Sequence, residues 1–158
     1  MKVLGVDPGT SVTGYGVIET GNGTSRMGRL IECGVIRFDR RSSLPRRLQE
    51  LHGHIADLIS RHRPTALALE HAFYHKNVRT TLVLGHARGV ILLAAQQAGL
   101  AIAQYAPATV KKTVVGAGGA VKSRVGIVVA RLLKLREPPT PSDAADGVAV
   151  ALTHIIRS

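Results

Sequence analysis

The chain has 158 residues, 45% of them hydrophobic, with 17 glycines and 7 prolines scattered along it; that length suits one packed domain and excludes a low-complexity or fibrous protein. Lysine and arginine number 21 against 10 aspartate and glutamate, a formal charge of +11, so the surface attracts a polyanion and nucleic acid is the leading partner. A single cysteine, Cys33, excludes an internal disulfide, and the absence of a basic-then-apolar leader before the first strand points to the cytoplasm.

Val3-Leu4-Gly5-Val6 is a short apolar run ending at Asp7. Pro8-Gly9-Thr10 is a turn signal, and Gly14 to Ile18 resumes as a second strand, giving a hairpin. After a turn at 21–24, Arg29 to Phe38 reads as a third strand with Ile31, Cys33, Val35 and Phe38 on one side. Leu48, Leu51, Ile55, Leu58 and Ile59 recur at helical spacing between Pro45 and His62, and Arg63-Pro64 stops the pattern. Ala66 to Leu69 predicts a fourth strand ending at Glu70, and a polar and aromatic loop follows. Thr80 to Ala98 is apolar nearly all round and reads as a helix buried in part by another subunit.

No formal charge occurs between Arg88 and Lys111, but Gln96, Gln97, Gly99, Gln104 and Pro107 interrupt the stretch as a membrane span. It predicts a buried helix and then a buried strand at Ala101–Tyr105, with no membrane partner. A short helix carrying Lys111 and Lys112, a glycine-rich loop, a basic helix from Lys122 to Leu135 and a last helix capped by Ser142 complete the chain. The order βββαβαβ followed by helices describes a single α/β domain over 1–158 with a mixed five-stranded sheet flanked by helices.

Asp7 and Glu70 each close a run of four apolar residues, at the carboxyl ends of central strands, where open α/β sheets place their ligands. Asp143 and Asp146 are three apart at the start of the last helix, on one face. Four carboxylates brought together repel, and burial without a partner costs several kcal/mol each. A hard divalent cation offsets both, and two magnesium ions roughly 4 Å apart, with manganese able to substitute, clamp a phosphodiester without a nucleophilic side chain. Singly, each residue has a plainer explanation: Asp143 and Asp146 favour a helix dipole and Asp7 starts a turn. Glu70, closing a buried strand, is the hardest to explain that way.

The blocks Gly5-Val6-Asp7-Pro8-Gly9-Thr10 with Thr13-Gly14-Tyr15-Gly16, Glu70-His71-Ala72-Phe73, Gly85-His86-Ala87-Arg88-Gly89, Thr113-Val114-Val115-Gly116 and Asp143-Ala144-Ala145-Asp146 resemble the signature segments of RuvC-type Holliday-junction resolvases, in order and over nearly the whole chain. The resemblance implies a ribonuclease H-like fold and a homodimer that cuts four-way junction DNA by paired symmetric incisions leaving 5′-phosphate and 3′-hydroxyl ends. It further implies branch-migration partners of the RuvA and RuvB type. It carries the acidic catalytic and metal-binding roles to Asp7, Glu70, Asp143 and Asp146, basic positions near the scissile phosphate to Lys111 and Lys122, and a base-stacking aromatic to Phe73. Beside it, Lys112 and Arg124 flank the glycine-rich loop and Lys76 and Arg79 follow the aromatic loop, all placed to meet phosphate. His52, His54, His62, His86 and His154 lie in helical stretches with no paired ligand pattern and are read as surface or packing residues, whereas His71 and His75, beside Glu70, are placed to touch substrate; none is read as catalytic.

Two readings of other chemistry compete, and a related nuclease acting on RNA or transposon ends, which shares the chemistry, stands as a third. Asp7-Pro8-Gly9-Thr10 and the glycine-rich loop also suit an ATPase of the actin and Hsp70 type, but those enzymes need two domains around the nucleotide. A nonenzymatic nucleic-acid-binding module satisfies the charge but leaves four carboxylates that weaken phosphate binding.

Overall fold

In a computed structural model, the described residues are 1–21, 23, 25–71, 76–116 and 122–158, with the side chains of Lys122 and Ser123 outside the description. The elements run β1 (Lys2–Asp7), β2 (Val12–Glu19), β3 (Arg29–Arg37), α1 (Leu44–His62), β4 (Ala66–Glu70), α2 (Val78–Gln97), β5 (Ala101–Tyr105), α3 (Pro107–Val115), α4 (Lys122–Leu132) and α5 (Ser142–Arg157). The sheet order is β3-β2-β1-β4-β5, with β1, β2 and β3 antiparallel and β1, β4 and β5 parallel. The mixed sheet follows from the connections: β1 to β2 needs only a tight turn, whereas β4 and β5 are each reached through a helix.

Alternation along the strands divides the core into two layers. Leu4, Val6, Val17, Leu67 and Leu69 face Leu51, Ile55 and Leu58 of α1 and Ile91 of α2. Val3, Ile18 and Ala68 face the other way, against α3, α4 and α5. Covered on both faces, β1 and β4 are apolar throughout rather than alternating, as buried parallel strands are.

Helix α5 rests directly on β1 and β2. A β-carbon on Gly147 would stand 2.5 Å from the backbone of Tyr15, and one on Gly14 would stand 1.7 Å from the Asp143 carbonyl oxygen. Hydrogen at these positions sets how near the helix comes to the strands.

Helix boundaries have local causes. The Ser43 hydroxyl accepts from the Arg46 N–H at the start of α1, and Arg63, left-handed at φ 49, ends it before Pro64. Asn77 caps α2 by accepting from the Thr80 N–H at 3.2 Å. In α5 the cap position is Pro141, with no side-chain cap; Ser142, expected to cap, is instead the first helical residue.

Beside the sheet, Glu32 of β3 collects three partners. It accepts from the Tyr15 hydroxyl at 2.9 Å and from Arg61 at 2.8 Å, and stands 2.7 Å from His62 Nε2. The Arg61 guanidinium and the other donors hold the Glu32 carboxyl down at about 2, while burial and the bond to Glu32 push the Tyr15 phenol up to about 12. These bonds tie the end of α1 to β2 and β3.

Two expectations need correction, the facing of β3 and the burial of β5. Ile31 and Phe38 pack on the α1 and α2 side but Cys33 on the α5 side. A bulge opposite Val17 and Ile18 inserts Ile31 and reverses the alternation there. Helix α2 is buried along one face only, through Ala87, Arg88, Ile91, Ala94 and Ala95, and Val78, Leu82 and Leu93 are exposed. Strand β5 is half-buried rather than buried, because it forms the sheet edge. By length and composition α2 is apolar enough to cross a membrane, yet its middle residue Arg88 is bonded to the sheet.

Candidate active site

Strands β1 and β4 are parallel neighbours with Val6 opposite Leu69, so one more step sets Asp7 beside Glu70. Gly5 lies under α5 and Ala68 belongs to the α5-side core. Two residues further along each strand, Asp7 and Glu70 direct their side chains to that same face. Gly14, the partner of Asp7 across the hairpin, touches the Asp143 backbone, and Asp146 follows on the same side of α5 within one turn. The four carboxylates predicted from the sequence therefore come from three elements to one end of the sheet, and each is half-buried.

Their donor set is all oxygen, which suits a hard divalent ion. The side chains are not drawn into a closed cage: among the described residues no three of His, Cys, Asp and Glu stand close enough together to hold a metal. Asp7, Glu70, Asp143 and Asp146 are the residues that would hold such an ion, once their side chains turned towards one another.

Behind Glu70 sits a residue that sequence reasoning did not assign a role. Arg88 of α2 is 8% exposed. Its Nη1 donates to the Glu70 carbonyl oxygen and its Nη2 to Gln104 Oε1, with His71 Nδ1 at 3.3 Å. Burial pushes the guanidinium below its ordinary value, and the Glu70 carboxylate acts in the opposite sense. The fork joins the ends of β4 and β5 and fixes the backbone from which Glu70 projects. The available signal was a lone arginine inside an apolar helix, since a charge in such a place needs a partner. On the edge strand Tyr105 pairs with Glu70, and its hydroxyl lies 2.8 Å from His154 Nδ1.

The basic candidates fall into two groups. Lys76 and Arg79 are exposed at the entry to α2, while Lys111 is half-buried and Lys112 exposed on α3, which packs against α4 and α5. Arg124 is exposed on α4, and the Lys122 backbone opens that helix. Phe73 and His75 lie outside the described residues, as does the Lys122 side chain.

The sequence profile described as crossover junction endodeoxyribonuclease RuvC matches residues 3–154. The protein of that name from Halorhodospira halophila is 47% identical over 153 residues, 97% of this chain and 89% of the relative. That from Pelotomaculum thermopropionicum is 46% identical over 155 residues, 98% of this chain and 92% of the relative. Thermus thermophilus RuvC, solved in complex with a Holliday junction substrate, superposes with a TM-score of 0.87 at 30% identity, covering 99% of this chain and 94% of that one. At 16% identity and a TM-score of 0.65, the yeast mitochondrial Holliday junction resolvase shares the fold over 98% of this chain and 78% of its own. With its mixed sheet in the ribonuclease H-like arrangement and its profile match from Val3 to His154, the chain belongs to the RuvC crossover junction endodeoxyribonuclease family.

Proposed function

We propose that the chain is a single-domain endonuclease that resolves four-way DNA junctions by paired symmetric incisions in recombination and repair, acting as a cytoplasmic homodimer. The observation that carries this reading is the meeting of Asp7, Glu70, Asp143 and Asp146 at one end of the sheet in a chain of net charge +11. Membership of the RuvC family supports it.

Asp7 and Glu70, fixed on adjacent strands, and Asp143 and Asp146, fixed on α5, are the residues that would hold magnesium, or manganese in its place, at two sites. Bound there, the metal supplies an activated water and charge stabilisation for hydrolysis leaving 5′-phosphate and 3′-hydroxyl ends. The protein's own part is to set four oxygen donors on rigid elements and to bring phosphate to them. Lys111, Lys112 and Arg124 supply positive charge from the α5 side and Lys76 and Arg79 from the α2 side, while Lys122 and Phe73 take a phosphate contact and a base-stacking role on the family resemblance alone.

The exposed face of α2 supports the homodimer. Leu82 and Leu93, 59% and 51% exposed, border an open, mainly apolar groove shared with Gly85, Gly89 and Val90. Those glycines have nothing within 4 Å of an added β-carbon, so another helix can approach closely. A twofold dimer presents two identical centres to the two equivalent strands of a junction. RuvA- and RuvB-type proteins are the implied partners in branch migration.

Incubating the protein with a labelled mobile junction and a matched duplex, in magnesium, manganese or EDTA, tests the reading. Symmetric nicks in the junction alone, sealed by ligase and absent in EDTA, are expected. Tight junction binding without cleavage in either metal would favour a nonenzymatic binding module.

A further inference from the structure

On the opposite side of the β1–β2 turn from α5, an open groove of about 600 Å³ is lined by Thr10, Ser11, Arg40, Arg47, Arg79 and Thr80, with Val83. Three arginines from three separate segments meet there: the loop after β3, the first turn of α1 and the first turn of α2. None of them is in a salt bridge among the described residues. Arg46 pairs with Glu50 next door, and Asp39 accepts from the backbone of Arg41. Arg40 donates to the Ser11 hydroxyl at 3.0 Å, and the Arg47 Nε is buried with no hydrogen-bond partner.

The backbone adds to this charge. Helices α1 and α2 both begin at the groove, neither carries an acidic residue in its first turn, and the positive ends of both dipoles therefore remain uncompensated there. A neutral ligand would not offset three guanidinium groups that have no carboxylate partner among the described residues, and the hydroxyls of Thr10, Ser11 and Thr80 add donors of the kind that recurs around phosphate.

The groove lies across the β1–β2 turn from the carboxylates. Thr10 and Ser11 follow Asp7 by three and four residues, in the turn that joins β1 to β2. Four residues of chain span at most about 14 Å, so Ser11 stands within a few nucleotides' length of Asp7. On the far side, α2 leads through Leu82 to the apolar groove.

We infer that Arg40, Arg47 and Arg79 form a second phosphate-binding site, which grips the DNA backbone of the arm beside the cleavage point and holds the strand in register with the carboxylates. Resting on the junction-nuclease reading, this assigns substrate contacts to Arg40 and Arg47, and it makes Arg79 part of a built site rather than a lone surface charge.

The test is junction and duplex binding by the full chain in EDTA over a range of salt. Each lost phosphate contact lowers the slope of log affinity against log salt by about 1. Arg40→Gln with Arg79→Gln, both at exposed positions, is expected to lower it by about 2 on both DNAs. Arg26→Gln, which removes a charge at the opposite end of the sheet, is expected to leave it unchanged. Neutral methylphosphonates placed one and two positions from the nick weaken binding by the unaltered protein and no longer do so in the double variant. An unaltered slope, a drop matched by Arg26→Gln, or methylphosphonate effects that persist in the double variant would overturn the site. Because duplex binding in EDTA requires no cleavage, absence of junction nicking would remove the nuclease reading without deciding this one.

Discussion

Replacing Gly147 by alanine sets two effects against each other. Mid-helix glycine costs roughly 1 kcal/mol relative to alanine, so propensity alone predicts a more stable protein. The added methyl would, however, lie 2.5 Å from Tyr15 N and Cα and 2.6 Å from the Gly14 carbonyl carbon. All three are backbone atoms and cannot swing aside, so α5 has to lift by about 1 Å, with an overpacking cost of roughly 1–3 kcal/mol. At the upper end of that range the clash outweighs the propensity gain, and a net loss of up to about 2 kcal/mol is expected in place of a gain. Gly53→Ala, in α1 with nothing within 4 Å of the new carbon, provides the opposite sign, a gain of about 0.5–1 kcal/mol. Urea denaturation of the two variants beside the parent measures both. The same lift moves Asp143 and Asp146 away from Asp7 and Glu70, and a misplacement of about 1 Å costs on the order of 10²-fold in rate. A Gly147→Ala protein as stable as its parent and equally able to nick junctions would refute the close seating of α5 and the role assigned to it.

Glu32, whose carboxyl is held down at about 2 chiefly by Arg61, contributes stability that is fully present above its unfolded value near 4.3 and is lost as pH falls towards 2. Thermal melts between pH 5 and 2 should therefore decline less steeply for Glu32→Gln than for the parent; parallel curves would show that Glu32 does not drive the acid limb. Arg88→Lys keeps the charge but loses the fork that reaches both the Glu70 carbonyl and Gln104. Nicking should fall about 10–100-fold with junction binding retained, the range for residues that orient a metal ligand, whereas equal losses of both would point to general unfolding. Leu82→Glu puts a charge on the exposed apolar face of α2, and sedimentation is expected to report a dimer for the parent and a monomer for the variant; a dimer in both would place the interface elsewhere.

Much of the candidate site was legible because chemistry and pattern coincided at single residues. The apolar runs before Asp7 and Glu70 are continuous because β1 and β4 are covered on both faces, so their first polar residue marks the strand end. The spacing of Asp143 and Asp146 places them together on any helix. The register that sets Asp7 beside Glu70, and the seating of α5 across the hairpin, are tertiary facts. Their sequence trace, glycine at 14 and 147, is intelligible only once the two elements are known to touch. Arg88 drew attention only as part of a motif, because its partners Glu70 and Gln104 lie 18 and 16 residues away. Arg40 and Arg47 carry no mark of a site in the sequence, since their convergence with Arg79 depends on how α1 and α2 are placed. The bulge in β3 escaped notice because an inserted residue leaves no mark on composition and reverses the alternation only locally.

The most direct test of the shared carboxylate centre is to measure junction nicking and junction binding in the same samples for Asp7→Asn, Glu70→Gln, Asp143→Asn and Asp146→Asn. Four residues serving one centre predict that each variant loses nicking by at least about 10²-fold in magnesium, in line with disruption of a metal site. Binding should hold or strengthen as a negative charge near phosphate is removed. If Asp143→Asn and Asp146→Asn both nick at the parental rate while Asp7→Asn and Glu70→Gln do not, α5 does not belong to the centre and the account is wrong where it joins the helix to the strands.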